Sequence, residues 1–181
     1  SFLNVCIARM PHEESIVFPG SHCPKCKKPI RWQDNIPVLA YILLRGKCRN
    51  CSEKISLRYL VVELVNAVLW FFLYLQYGFT PFFFAGVIYF SILLAVTVTD
   101  IETGLIPDKL SLPGIVLGIV FCTLWPVLQH QAEPLRGFIL SLIGMFVGGG
   151  ILLVIGLLGN WIFKKDSMGG GDIKLLAMMG A

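Results

Sequence analysis

PFFFAGVIYFSILLAVTVTDIETGLIPDKL runs from Pro81 to Leu110. From Pro81 to Thr99 no side chain carries a charge, and then Asp100 opens a short polar stretch. An apolar run of this length matches a hydrocarbon core about 30 Å thick, which roughly 20 helical residues cross at 1.5 Å each. The reading that decides the fold is therefore a membrane span with a carboxylate at its end. Composition agrees: of 181 residues 56% are hydrophobic and 14% charged, and the mean hydropathy is +0.75.

Three further stretches read as spans: Tyr59 to Tyr77, interrupted only by Glu63, Leu110 to Gln129, and Gly137 to Phe163. IPVLAYILL, Ile36 to Leu44, is too short to cross and reads as interfacial or re-entrant. SFLNVCIARMP at the start reads as the last turns of an earlier span, and DIKLLAMMGA at the end as the first turns of a later one. The expected class is an all-α polytopic membrane protein, a helix bundle with a small zinc-ribbon-like cytoplasmic insert. Its expected divisions are 1–10, the end of a preceding helix, 11–57, the insert, and 58–181, the bundle. No internal repeat or low-complexity segment stands out.

Ten of the fifteen lysines and arginines lie between Arg9 and Arg58, and Lys109, Lys164, Lys165 and Lys174 fall on the same face when crossings are counted from Arg58. Arg136 stands alone on the other. Positive charge concentrates on cytoplasmic loops, so the basic face is expected to be cytoplasmic. Anionic lipid headgroups account for the net charge of +4 without nucleic acid.

The polar insert carries two Cys-x-x-Cys pairs, Cys23/Cys26 and Cys48/Cys51, with 21 residues between them. Two such knuckles can set four thiolates tetrahedrally around a structural zinc ion, with no open position for catalysis. A loop this size buries too little apolar surface to fold alone, whereas structural zinc contributes about 10–16 kcal/mol in small peptides. A redox dithiol is the alternative for one pair; a matched second pair in a reducing cytosol disfavours it. Cys6 and Cys122 lie in apolar contexts and read as packing residues.

Asp100 and Asp172 share a face by crossing parity, one at the end of a span and one at the start of the final helix. Two carboxyl groups in one site hold a single proton between them, and that pair can activate water against an amide. Gly169, Gly170 and Gly171 before Asp172 are expected to supply unusual backbone angles and room for a peptide. A bland reading makes the glycines a connector and Asp172 an N-cap. Asp108 also reads as an N-cap. Glu102 reads as solvated. Glu63, costing about 3 kcal/mol in a span, is expected either to pair with Arg58 or to serve a site. Gly144 and Gly148 to Gly150 read as helix packing, since no strand precedes them. His12, His22 and His130 are isolated and form no metalloprotease motif.

Taken together, SFLNVCIARMP, the CPKC and CRNC pairs, ISLRYLVVELVNA, TDIETGLIPD and GGGDIKLLAMMGA resemble the type IV prepilin peptidases, membrane aspartic proteases of the GxGD class. The resemblance covers essentially the whole chain. It implies Asp100 and Asp172 as catalytic acids and Asp108 without an essential chemical role. It also implies an inner-membrane enzyme that removes leaders from type IV prepilins and type II secretion pseudopilins on the cytoplasmic side. Many such enzymes then methylate the new N-terminus with S-adenosylmethionine, and zinc-cysteine inserts are typical of them. Two other classes stand beside this expectation. A non-catalytic zinc-binding scaffold of a secretion or pilus system would use the acids only as caps, and a proton-coupled transporter would place them near the midplane.

Overall fold

A computed structural model describes residues 2–36, 38–164 and 169–181. Lys165 and residues 167–168, which lead into GGGD, lie outside the described residues. The elements are helices α1 (Phe2–Arg9), α2 (Leu39–Leu43), α3 (Leu57–Tyr77), α4 (Pro81–Thr103), α5 (Asp108–Leu124), α6 (Pro134–Phe163) and α7 (Gly170–Gly180), with short 3-10 turns between some of them. No strand occurs among the described residues.

Three helices, α3, α4 and α6, are long and apolar enough to cross a bilayer. Only 6%, 17% and 11% of their apolar windows are buried inside the protein, so most of this apolar surface faces outward, as suits helices in a bilayer. The fourth expected span, Leu110 to Gln129, is broken. Helix α5 stops at Leu124, and a 3-10 turn, Pro126–Gln129, follows. Pro126 has no N–H to continue the ladder and its ring disfavours helical backbone at Trp125, which takes φ −126° and ψ 75°. The 17 residues of α5 rise about 26 Å. Pro113 lies within the second turn of α5, close to its start.

Helices α3 and α4 form an antiparallel hairpin. Asn66 and Trp70 meet Ser91 through its hydroxyl, each at 3.0 Å, and Arg58 meets Glu102 at the hairpin's open end. Helix α1 lies against both. Cys6, Ile7 and Met10 join Val62, Ala95, Val96 and Leu110 in the compact core, with Ile106 and Leu175 packed on it. Cys6 is thus a packing residue, as its apolar setting suggests.

Helices α5, α6 and α7 touch through small residues. Along α5 and α7 the contacts ascend together, Ile106 with Gly171, Gly114 with Met178 and Gly118 with Ala181, so the two helices run parallel. Helix α6 runs antiparallel to α7, with Gly144 against Gly180 and Gly148 against Leu176. A Cβ on Gly148 would stand 2.5 Å from the Leu176 carbonyl oxygen. The glycine run of α6 is therefore a packing surface, as expected of small residues in a membrane bundle.

Candidate functional site

The insert folds as two copies of one turn. In the first, Cys23 N–H donates to Lys28 O, Lys27 N–H to Cys23 O and Ile30 N–H to Ser21 O. In the second, Cys48 N–H donates to Glu53 O, Ser52 N–H to Cys48 O and Ile55 N–H to Gly46 O. Lys27 and Ser52, the residues just after each pair, take φ of 56° and 57°. Bridges between His22 and Pro29, and between Lys47 and Lys54, close the two loops. This is an internal repeat that the sequence reading missed. SHCPKCKKPI and GKCRNCSEKI share only the two cysteines and the final isoleucine, so the signal lies in the backbone.

The two turns bring the sulfurs of Cys23, Cys26, Cys48 and Cys51 within 4.8 Å of one another. The Cys23 and Cys51 Sγ atoms are 3.8 Å apart, and none of the four forms a disulfide. A tetrahedral site with Zn–S bonds of about 2.3 Å has edges of about 3.8 Å, so this set fits a four-thiolate metal centre. Backbone N–H groups of Cys26 and then Lys25 bring the Cys23 thiol down to about 6. Cys51 is pushed up to about 11. The lowering by the Glu53 backbone is outweighed by desolvation and by hydrogen bonds from the other thiols. Around the cluster, Lys25 pairs with Glu53 across the two turns. Arg49 grips Asp34 with Nε at 2.8 Å and an Nη at 2.6 Å.

Asp100 occupies the last turn of α4. The helix ends at Gly104, whose φ of 65° is left-handed backbone that glycine tolerates, and the Gly104 N–H caps the Asp100 carbonyl at 2.7 Å. Four residues later α5 begins. Asp172 is the third residue of α7. Both carboxylates are exposed. They stand at one end of the bundle, because α5 and α7 start together and the loop from α4 to α5 lies on the start of α7. A Cβ on Gly171 would fall 2.8 Å from Ile106 Cβ, so glycine is what lets that loop approach.

Several expectations change here. Gly169 has φ −71°, and Gly170 and Gly171 are helical, so the run supplies no unusual backbone angle. Only Gly171 is demanded by packing. A Cβ on Gly170 would meet nothing within 4 Å. Neither acid is an N-cap: Gly169 precedes α7 and Pro107 precedes α5, while Asp108 is the first residue of α5. Asp108 instead accepts both of its bonds from Lys174 Nζ, at 2.7 and 2.6 Å. Glu102 is paired with Arg58, whose guanidinium also sits 4.7 Å over the Tyr59 ring. Glu63 accepts a bond from Asn4 Nδ2 at 3.3 Å, and the same amide donates to the Tyr59 carbonyl at 3.1 Å. Asn4 and Lys174 are polar anchors that sequence reading did not single out. Neither carried a local signal, because each partner lies far away along the sequence.

Apolar helices that leave most of their surface to lipid, with two exposed carboxylates at one end and a thiol cluster ahead of them, define a polytopic membrane protein of the acid-bearing helical class. The chain belongs to the type IV leader peptidase family, whose pattern matches residues 87–181; the bacterial peptidase A24 N-terminal domain matches residues 1–77. Relatives named prepilin leader peptidase/N-methyltransferase align over the whole chain. The one from Neisseria gonorrhoeae is 36% identical, with 69% of its length covered. Those from Myxococcus xanthus and Klebsiella pneumoniae are each 35% identical, with 52% and 78% covered. No solved structure matches the chain.

Proposed function

We propose that the chain is the working part of a prepilin leader peptidase that also N-methylates its product, with Asp100 and Asp172 as the catalytic pair. The observation that carries this is the approach of Ile106 to Gly171, which draws the segment after Asp100 onto the residue before Asp172. In the reaction one ionised carboxylate takes a proton from water as the oxygen attacks the scissile carbonyl. The protonated partner hydrogen-bonds the carbonyl oxygen as negative charge develops there. Collapse of the tetrahedral intermediate breaks the C–N bond, and the proton passes to the leaving amine. A substrate pilin's apolar helix reaches this end laterally through lipid, while its leader stays on the polar side.

Residues 58–181 carry the hydrolysis and residues 11–57 the metal in this reading. The thiol cluster holds zinc for shape, since four sulfurs fill its coordination. The concentration of lysine and arginine on the loops supports a cytoplasmic face for both sites, in the inner membrane where the family's substrates are met. Pseudopilins of type II secretion are substrates of the same kind, and anionic lipids contact the basic face. Two cavities of about 180 and 260 Å³ among the described residues are lined by no carboxylate that could take the ribose or ammonium group of S-adenosylmethionine, so neither is assigned to it. Methylation is therefore supported by the relatives' names, and no step is assigned to it.

A non-catalytic scaffold is not favoured, because family membership covers the segments of both acids. Co-expression of the full-length protein with a type IV prepilin tests the choice. Asp100→Asn and Asp172→Asn should each cut leader removal by at least about a hundredfold. Normal processing by either would end the assignment.

A further inference from the structure

Lys174 stands two residues beyond Asp172 on α7, and both oxygens of Asp108 accept from its Nζ. The proposed hydrolysis uses neither residue. We propose that the Lys174–Asp108 pair is a rotational key: it fixes the orientation of α7 about its own axis and so the direction in which Asp172 points. This rests on the reading of Asp172 as a catalytic carboxylate.

Helix α7 is held by apolar and backbone packing, with Leu175 on the core and Met178 buried against Gly114 of α5. It is 11 residues long, and toward α5 it presents Gly171, Lys174, Met178 and Ala181, spaced three, four and three apart. Toward α6 it presents Gly180, Ala177 and backbone. Such surfaces allow close approach, but none of these contacts is a directional polar bond. Lys174 is the one charged member of that stripe, and its pair is a directional contact of fixed partners.

Helix geometry converts that contact into aim. Residues two apart lie about 200° apart around the axis, so Lys174 and Asp172 project from nearly opposite flanks. A turn of α7 that released Lys174 would swing Asp172 through the same angle. Asp108 is itself the first residue of α5, one step after the loop whose Ile106 rests on Gly171 and which follows the last turn of α4, where Asp100 sits. One ion pair thus references both carboxylates to the same point. The two side chains are 52% and 40% exposed, and so open a pair adds little to global stability. Its loss should change activity rather than folding.

The test uses the full-length enzyme in detergent with a purified type IV prepilin, comparing Lys174→Gln, Asp108→Asn, the exchange Asp108→Lys with Lys174→Asp, and Asp172→Asn. Misaligned catalytic groups lower kcat, and a pair this open biases the orientation only modestly, so each single variant should lose about two- to fivefold in kcat with KM within about twofold. Their melting temperatures should match wild type. The exchanged pair should recover most of the lost kcat with the same KM. Wild-type kcat in either single variant overturns the key, as does an exchanged pair that is folded yet no better than the singles. If Asp172→Asn also cleaves normally, the catalytic reading has failed and the key with it. If Asp172→Asn is inactive while Lys174→Gln is normal, only the key has failed.

Discussion

In the cysteine insert, side chains such as Phe18 and Leu43 stay exposed, and order is carried by two backbone turns facing one another across four sulfurs. In the seam of α5, α6 and α7 the backbones themselves touch, glycine against glycine at Gly144 and Gly180, and no metal-ligating group takes part. Both regions bring distant parts of the chain close without a conventional apolar core. The insert has almost nothing to bury and depends on strong point bonds. The seam lies where lipid is as apolar as leucine, so it gains from contact area between bare backbones. One region should fail when a single ion leaves, and the other when a single carbon is added.

Metal removal is the sharpest way to break that contrast. Chelation, or Cys23→Ser, should expose residues 11–57 to protease while far-ultraviolet circular dichroism of the bundle is kept, because about 10–16 kcal/mol of structural metal binding acts only on the insert. Loss of the bundle's helicity at the same chelator concentration would show that the two regions fold as one.

Adding a carbon to the seam comes next. Gly148→Ala puts a Cβ against the Leu176 carbonyl and should cost about 1–3 kcal/mol, read as a lower melting temperature in detergent with the insert's protease resistance unchanged. Gly150→Ala, where a Cβ meets nothing within 4 Å, should be neutral. Equal effects at the two positions would remove the seam from the account.

The smallest effect concerns the insert's ion pairs. The bond to Arg49, with burial opposing it, holds the Asp34 carboxyl below its usual range. A lowered folded value means that this contribution is complete above the ordinary carboxylate range, about 3.9, and fades as acid takes the pH down through the folded value. Asp34→Asn should therefore narrow the difference in insert stability between neutral and acid pH, with a slight loss at neutral pH only.

What could be read in advance divides along similar lines. The runs behind α3, α4 and α6 were plain because hydropathy over a long window is a sum, and no neighbour can cancel it. The run from Leu110 to Gln129 was equally apolar, yet Pro126 ended its helix; composition records solvent preference and not a missing N–H. The four cysteines announced themselves by spacing. Their twofold repeat did not, because Lys27 and Ser52 reach the same left-handed angle with unrelated side chains. Glu102 looked solvated until α3 brought Arg58 alongside.

The chain's own letters settled its solvent, its helical class, its thiol set and the two acids worth testing, since each depends on local chemistry or on distances counted along the backbone. Which residues meet was left to three dimensions. Lys174 finds Asp108 and Ile106 reaches Gly171 because two parallel helices begin side by side. That register is fixed by the packing of the whole bundle, and no short segment encodes it.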